Sequence, residues 1–193
     1  IFFAPSSFAE VPPAPKHPVI AELILPSEVA PGDTILAALR LTHAEGWHTY
    51  YLEPGDAGVP TTLTWTLPEG WSHGEIRWPQ YHVFDTAGIV SYGYSDTVEL
   101  LIPLTSPPNL VLGQNVTLSA RADYLMCDAF RCVPGSSEVS GSSTIAASSS
   151  ALALVTPWLE ASPASPTSQN SAKTSDDNTR ATSPSASSSM QSP

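Results

Sequence analysis

Apolar and polar positions alternate with a period of two along most of the chain before about residue 155, the signature of half-buried strands. Ile35, Ala37, Leu39 and Leu41 share one face of a strand predicted over Thr34–Thr42. Leu63, Trp65 and Leu67 do the same over Pro60–Leu67. Val116, Leu118, Ala120, Ala122 and Tyr124 fall in phase over Gln114–Met126, the longest predicted strand. Val19–Leu25, the aromatic-rich Trp47–Leu52, Glu75–Trp78 and Thr97–Leu104 read as further strands, and Cys132–Val139 as an antiparallel return. Turn signals rich in Pro, Gly and Asp separate them, at Ser27–Asp33, Ala44–Gly46, Pro54–Gly58, Pro68–Gly70 and Ser106–Asn109. Tyr81–Gly93 is less regular and reads as a loop folded over the body, and Ala151–Leu159 as a last strand. No amphipathic helix is predicted, so the class is all-β, a sandwich.

The ends of the chain read differently. Glu10–Pro18 is proline-rich and predicts an extended lead-in. Before it, Ser7-Phe8-Ala9 has the small-x-small pattern of a signal-peptidase site, so residues 1–14 are expected to be a signal-peptide remnant or flexible lead-in. If that expectation holds, the compartment is extracytoplasmic, where disulfides persist. From Ser140 the composition shifts to Ser, Thr and Ala. Residues 156–193 have too few large apolar side chains to offset their ordering entropy, and are expected to be a disordered Ser/Pro-rich linker leading to a transmembrane domain. The folded domain is therefore assigned to residues 15–155.

Charge narrows the function. The net charge is -11, and seven basic residues scattered along the chain make no footprint for phosphates or an anionic membrane surface. No apolar run reaches the roughly 18 residues needed to span a bilayer. No glycine loop for phosphates and no nucleophile elbow is present, and no cofactor is expected.

The chemistry concentrates in Tyr124–Pro134, which contains both cysteines of the chain. Cys127 and Cys132 are separated by Asp128, Ala129, Phe130 and Arg131, an ordinary four-residue hairpin loop. Facing positions of a hairpin lie within the Cα range of a disulfide. A structural clip is one reading, but so small a ring contributes on the order of 2 kcal/mol, against about 4.7 for a 100-residue loop. A short disulfide at a loop is also readily reduced, which favours a redox pair. Metal binding is a third reading. His43, His48, His73 and His82 are available for it, none at a recognisable ligand spacing to the cysteines. His48 is placed to influence the thiolate. Trp65, Trp71 and Trp78 read as sandwich core, with a sugar-stacking platform as the alternative, and Asn115-Val116-Thr117 matches the glycosylation sequon.

Six short motifs then occur in a familiar order: Gly46–Tyr51 (GWHTYY), Pro54–Thr61 (PGDAGVPT), Leu67–Trp71 (LPEGW), Ile76–Pro79 (IRWP), Ser91–Tyr94 (SYGY) and the cysteine segment. Together, over roughly residues 15–140, they resemble the amino-terminal periplasmic domain of the thiol:disulfide interchange protein DsbD, in its ScsB-like variant. The resemblance implies an immunoglobulin-like β-sandwich with an active-site hairpin, at the periplasmic face of the inner membrane. It implies a protein-disulfide reductase domain with Cys127 and Cys132 as the redox pair. Electrons would come from a thioredoxin-like domain of the same polypeptide and pass to periplasmic thioredoxin-fold acceptors, including cytochrome c maturation factors. His48 and Tyr50 would flank the pair, with Asp128, Phe130 and Arg131 in its loop, and Cys132 would form the mixed disulfide. Ser91, Tyr92, Gly93 and Tyr94 would form a cap, Tyr92 and Tyr94 shielding the sulfurs. Ser91 stands where the family carries its cap phenylalanine, and the cysteine spacing is four. A monomer is expected, attached to the membrane only through downstream segments. An immunoglobulin-like binding module with a structural disulfide is the competing class.

Overall fold

A computed structural model describes residues 17–152. The lead-in over 1–14, the linker over 156–193 and nearly all of the strand expected over Ala151–Leu159 lie outside the described residues. The strands in chain order are β1 (Val19–Ile24), β2 (Glu28–Val29), β3 (Thr34–His43), β4 (Thr49–Gly55), β5 (Thr62–Thr66) and β6 (Ser72–His73). They continue with β7 (His82–Thr86), β8 (Ile89–Tyr94), β9 (Thr97–Thr105), β10 (Asn115–Cys127) and β11 (Cys132–Ile145).

Two sheets form the body, in the orders β1-β3-β9-β6 and β2-β11-β10-β5. Taking β1, β3, β5, β6, β9, β10 and β11 as strands A to G, the sheets read A-B-E-D and G-F-C, the immunoglobulin arrangement. A third, smaller sheet β4-β8-β7 is added to this frame. Among the described residues no helix is long and apolar enough to cross a membrane.

The core lies between the two large sheets. Leu39, Leu41, Leu100, Ile102, Leu104 and Leu118 are fully buried there. Trp71 and Trp78 belong to the same core, while Trp65 is half-buried against it. On the sheet of β3 and β9 a fully buried carboxylate meets a half-buried guanidinium. Arg40 faces Glu99 across the strands and donates from Nε and Nη2 to Oε1, at 3.0 and 2.7 Å.

Three expectations need correction. Tyr81–Gly93 is no irregular loop: β7 and β8 form a hairpin whose two-residue turn, Ala87-Gly88, has φ of 55° and 85°. Positive φ at both turn positions matches the right-handed twist of a hairpin, and Asp85 Oδ1 accepts from Gly88 N–H at 2.9 Å. An alanine at the first turn position hides this signal, because Asn, Asp or Gly normally marks it. The strand expected over Glu75–Trp78 is only an isolated bridge of Arg77 to Leu101, and the edge strand is Ser72–His73 instead. The strand expected to stop at Val139 continues through Ser and Gly to Ile145. Its backbone is held by the whole length of β10, and Gly141 lies so close to Leu23 and Leu25 that a side chain there would collide.

Candidate active site

The cysteine hairpin is the far end of the β10–β11 ladder. The register pairs Cys127 with Cys132, and the two are joined by a disulfide with Cα atoms 4.1 Å apart. The turn between them is closed by Asp128 N–H donating to Arg131 O at 2.9 Å. Asp128 Oδ1 accepts from the N–H groups of Phe130 and Arg131, at 2.8 and 2.9 Å. Those bonds, the one from Phe130 foremost, hold the Asp128 carboxyl below the usual carboxylate range, with the Arg131 charge adding to them. Arg131 lies 3.4 Å from Asp128 Oδ2 and sits over the Trp47 ring at 5.3 Å. Phe130, at the tip, is 96% exposed.

Even-numbered residues of β10, from Leu118 to Met126, point into the core. Cys127 and its partner Cys132 therefore stand on the outer face of the sheet. There they meet different surroundings. Cys127 is 2% exposed, whereas Cys132 is open to solvent. The cover over Cys127 comes from the start of β4. His48 exchanges both backbone hydrogen bonds with Cys127, each at 3.0 Å. Two residues on, the buried Tyr50 hydroxyl donates to Cys127 Sγ at 2.9 Å and lies 3.9 Å from Cys132 Sγ. Burial raises the Tyr50 pKa above its ordinary 10.0, so the hydroxyl stays a donor at neutral pH.

Glycine makes room for that tyrosine at two points. A Cβ at Gly58, which has φ of +125°, would overlap the Tyr50 ring, and a Cβ at Gly93 would overlap Thr49 O. Gly93 is the β8 residue facing Tyr50.

The β7–β8 hairpin stands beside the pair. Phe84 faces Ser91 across the hairpin and stacks on His48, ring centroids 4.5 Å apart. His48 also meets the Tyr50 ring edge-on at 5.2 Å. Burial lowers the His48 pKa from its ordinary 6.5, against an opposing pull from Asp128. A cleft of about 490 Å³ opens here, lined among others by Trp47, His48, Phe84, Asp96 and Asp128.

The site thus brings together Cys127, Cys132, His48, Tyr50, Asp128 and Arg131. Tyr92 and Tyr94 pack elsewhere. The Tyr92 ring lies against Tyr81 at 4.7 Å, and Tyr94 stacks on Trp78 and donates to Pro79 O at 2.9 Å. Ser91 and Gly93 alternate with them and take the opposite face of β8. Phe84, Trp47 and Gly58 are neighbours that the sequence pattern does not single out. Period-two alternation over His82–Thr86 is the signal that puts Phe84 and His82 on one face.

Fold and site define an immunoglobulin-like sandwich with a half-exposed disulfide on a hairpin. The family model described as thiol:disulfide interchange protein DsbD, N-terminal, matches residues 21–143, and the chain belongs to that family. Among solved structures, the N-terminal periplasmic domain of ScsB from Proteus mirabilis is 24% identical with a TM-score of 0.46. That match covers 63% of this chain and 43% of that one. The N-terminal domain of DsbD from Neisseria meningitidis, in its reduced form, is 13% identical with a TM-score of 0.38, over 64% and 86% of the two chains. No curated protein matches the chain.

Proposed function

We propose that this domain relays electrons in the periplasm as part of a transmembrane protein-disulfide reductase, by exchange at the Cys127–Cys132 disulfide. One observation carries the reading: an exposed sulfur is bonded to a buried one that already holds a hydroxyl donor, Tyr50 O–H at 2.9 Å from Cys127 Sγ. An incoming thiolate reaches Cys132. The electron pair of the broken S–S bond then falls on Cys127, where the tyrosine hydroxyl stabilises it. In the reverse sense, reduced Cys132 attacks the disulfide of an acceptor and Cys127 resolves the mixed disulfide.

The electron donor on this reading is a thioredoxin-like domain of the same polypeptide, and the acceptors are periplasmic thioredoxin-fold proteins. The domain works as a monomer and needs no cofactor of its own. The cap is assigned to the β7–β8 hairpin. Phe84 takes the part of the phenylalanine absent at Ser91, since the two positions face each other and Phe84 covers His48.

Two measurements test the proposal. With a thioredoxin-fold partner lacking its resolving cysteine, Cys127→Ser is expected to accumulate a mixed disulfide through Cys132, and Cys132→Ser to accumulate none. The native bridge is expected to titrate above about -300 mV. A bridge reduced only below that value, with no mixed disulfide from either variant, identifies a structural clip and ends the relay reading.

A further inference from the structure

The turn at Pro54–Gly58 encloses the tyrosine that serves the sulfurs. β4 pairs with β8 at Thr49 and Tyr50, slips register, and meets it again only where Gly55 faces Ser91. The chain therefore bows out of the ladder directly after Tyr50, and two residues bring it back. Gly55, at φ of +87°, lies so close to β8 that a Cβ there would overlap Val90 O. Asp56 then takes both backbone groups of Val90. Its N–H donates to Val90 O at 2.8 Å, and its Oδ2 accepts from Val90 N–H at 3.0 Å. In a regular antiparallel pair that N–H would go to the carbonyl of the facing residue. Here the chain turns away at Asp56, and the carboxylate stands in for the carbonyl, as Asp side chains do at turns. From this clamp the chain returns to where the bow began: Gly58 lies against the Tyr50 ring, and Pro60 forms a parallel bridge with Tyr50.

We propose that Asp56 is a positioning residue for the exchange at Cys127–Cys132: by tying the Pro54–Gly58 turn to β8 it holds Gly58 against the Tyr50 ring and so keeps the tyrosine hydroxyl on Cys127 Sγ. This role rests on the exchange reading above and adds what fixes the donor in place. Gly58 has no side chain, so the wall behind the ring is bare backbone, and its position is that of the clamped turn. The hydroxyl lies at the far end of the ring, where a small tilt becomes a large displacement from the sulfur, and a hydrogen bond weakens steeply with distance and angle. The Asp56 bond to Val90 is exposed and therefore contributes little to stability. Its effect is expected in the chemistry of the pair. The sign is distinctive. A negative charge near a thiolate disfavours it, so removing the Asp56 charge alone would make reduction easier. Losing the tie draws the donor from Cys127 and makes reduction harder.

The experiment equilibrates the full chain with glutathione or dithiothreitol buffers and measures the constant for reduction of the disulfide. Asp56→Ala is expected to lower that constant about threefold, in the direction of Tyr50→Phe, with a urea midpoint near that of the parent. Asp56→Asn keeps an acceptor for Val90 N–H without the charge and is expected to match the parent. Asp56→Glu keeps the charge but overreaches Val90 by a methylene; it is expected to behave as Asp56→Ala, and decides the matter if the alanine variant fails to fold. Added to Tyr50→Phe, Asp56→Ala is expected to change nothing further, because no hydroxyl remains to be placed. A parent-like constant in Asp56→Ala and Asp56→Glu, or the same shift with Tyr50 already replaced, overturns the positioning role and leaves the exchange reading standing. A raised constant in both Asp56→Asn and Asp56→Ala assigns the effect to charge and overturns it equally. If Cys127→Ser forms no mixed disulfide with a thioredoxin-fold partner, the exchange reading falls and this role with it.

Discussion

The hydroxyl of Tyr50 and the sulfur of Cys127 are 2.9 Å apart, inside a site where the other sulfur faces solvent. A hydrogen bond to a thiolate is stronger than one to a disulfide sulfur, so this contact favours the reduced state. Tyr50→Phe keeps the ring and removes the donor. The expected result is a reduction potential more negative by about 30 mV, equivalent to about 1.4 kcal/mol, and a raised Cys127 thiol pKa. Equilibration with a glutathione or dithiothreitol buffer series measures the first, and thiolate absorbance against pH the second. An unchanged potential would remove Tyr50 from the redox chemistry.

Gly58 is the space that Tyr50 occupies. Gly58→Ala places a methyl group on the ring at a backbone conformation that side chains rarely adopt. A stability loss of about 1–3 kcal/mol is expected in urea unfolding of the oxidised protein, with a potential displaced in the direction of Tyr50→Phe. A variant as stable as the parent, with an unshifted potential, contradicts this account of the tyrosine's placement.

Phe84 shields His48 from water. Phe84→Ala exposes the imidazole and relieves the burial that lowers its pKa. His48 is expected to titrate nearer its ordinary 6.5 in the variant, as followed by NMR of the ring protons against pH. A titration unmoved by the substitution means that the cover over His48 comes from elsewhere.

His43 gives the fold a pH dependence. It is 7% exposed, its Nδ1–H donates to Asp96 O at 3.0 Å, and its Nε2 accepts from the Thr49 hydroxyl at 2.9 Å. Both nitrogens are thus used by the neutral ring, and burial, the largest cause, lowers the pKa from 6.5. The unfolded chain then binds a proton that the folded chain refuses. Stability is full above the ordinary value of 6.5 and falls as pH drops below it toward the folded pKa. His48 shifts in the same direction and adds to the slope. Urea midpoints compared between about pH 7.5 and pH 5 are expected to fall, and to fall less in His43→Gln. A variant with the parent slope assigns the effect to other groups.

Arg40 neutralises a carboxylate that the sandwich buries. The side chain of Glu99 is 0% exposed, and two guanidinium nitrogens reach its Oε1. Arg40→Ala is expected to cost about 3–5 kcal/mol, because a buried charge loses its counter-charge. Arg40→Lys keeps the charge without the planar fork and is expected to fall between the two. Denaturant unfolding measures both, and a loss under about 1 kcal/mol in Arg40→Ala refutes the reading.

Much of the molecule is legible in the order of its residues. Period-two alternation around Leu39, Leu63 and Leu118 determined an all-β sandwich, because strands with one apolar face bury it against another sheet. The spacing of Cys127 and Cys132 determined a hairpin, since four intervening residues close a turn and leave the cysteines facing. The motifs from Gly46 to Pro134 marked the family. Local pattern could not carry the rest. The β7–β8 hairpin escapes it because Ala87 occupies a turn position that sequence normally marks with Asn, Asp or Gly. Burial of Cys127 and exposure of Cys132 depend on the chain crossing at His48, far away in sequence, and no spacing encodes it. The same crossing brings Tyr50 to the sulfur, while Tyr92 and Tyr94, on the other face of β8, pack around Tyr81 and Trp78. The sequence by itself determined which residues carry sulfur chemistry and on what kind of scaffold. Only the tertiary structure decided which sulfur is reachable, because accessibility is set by packing across strands and not by neighbours along the chain.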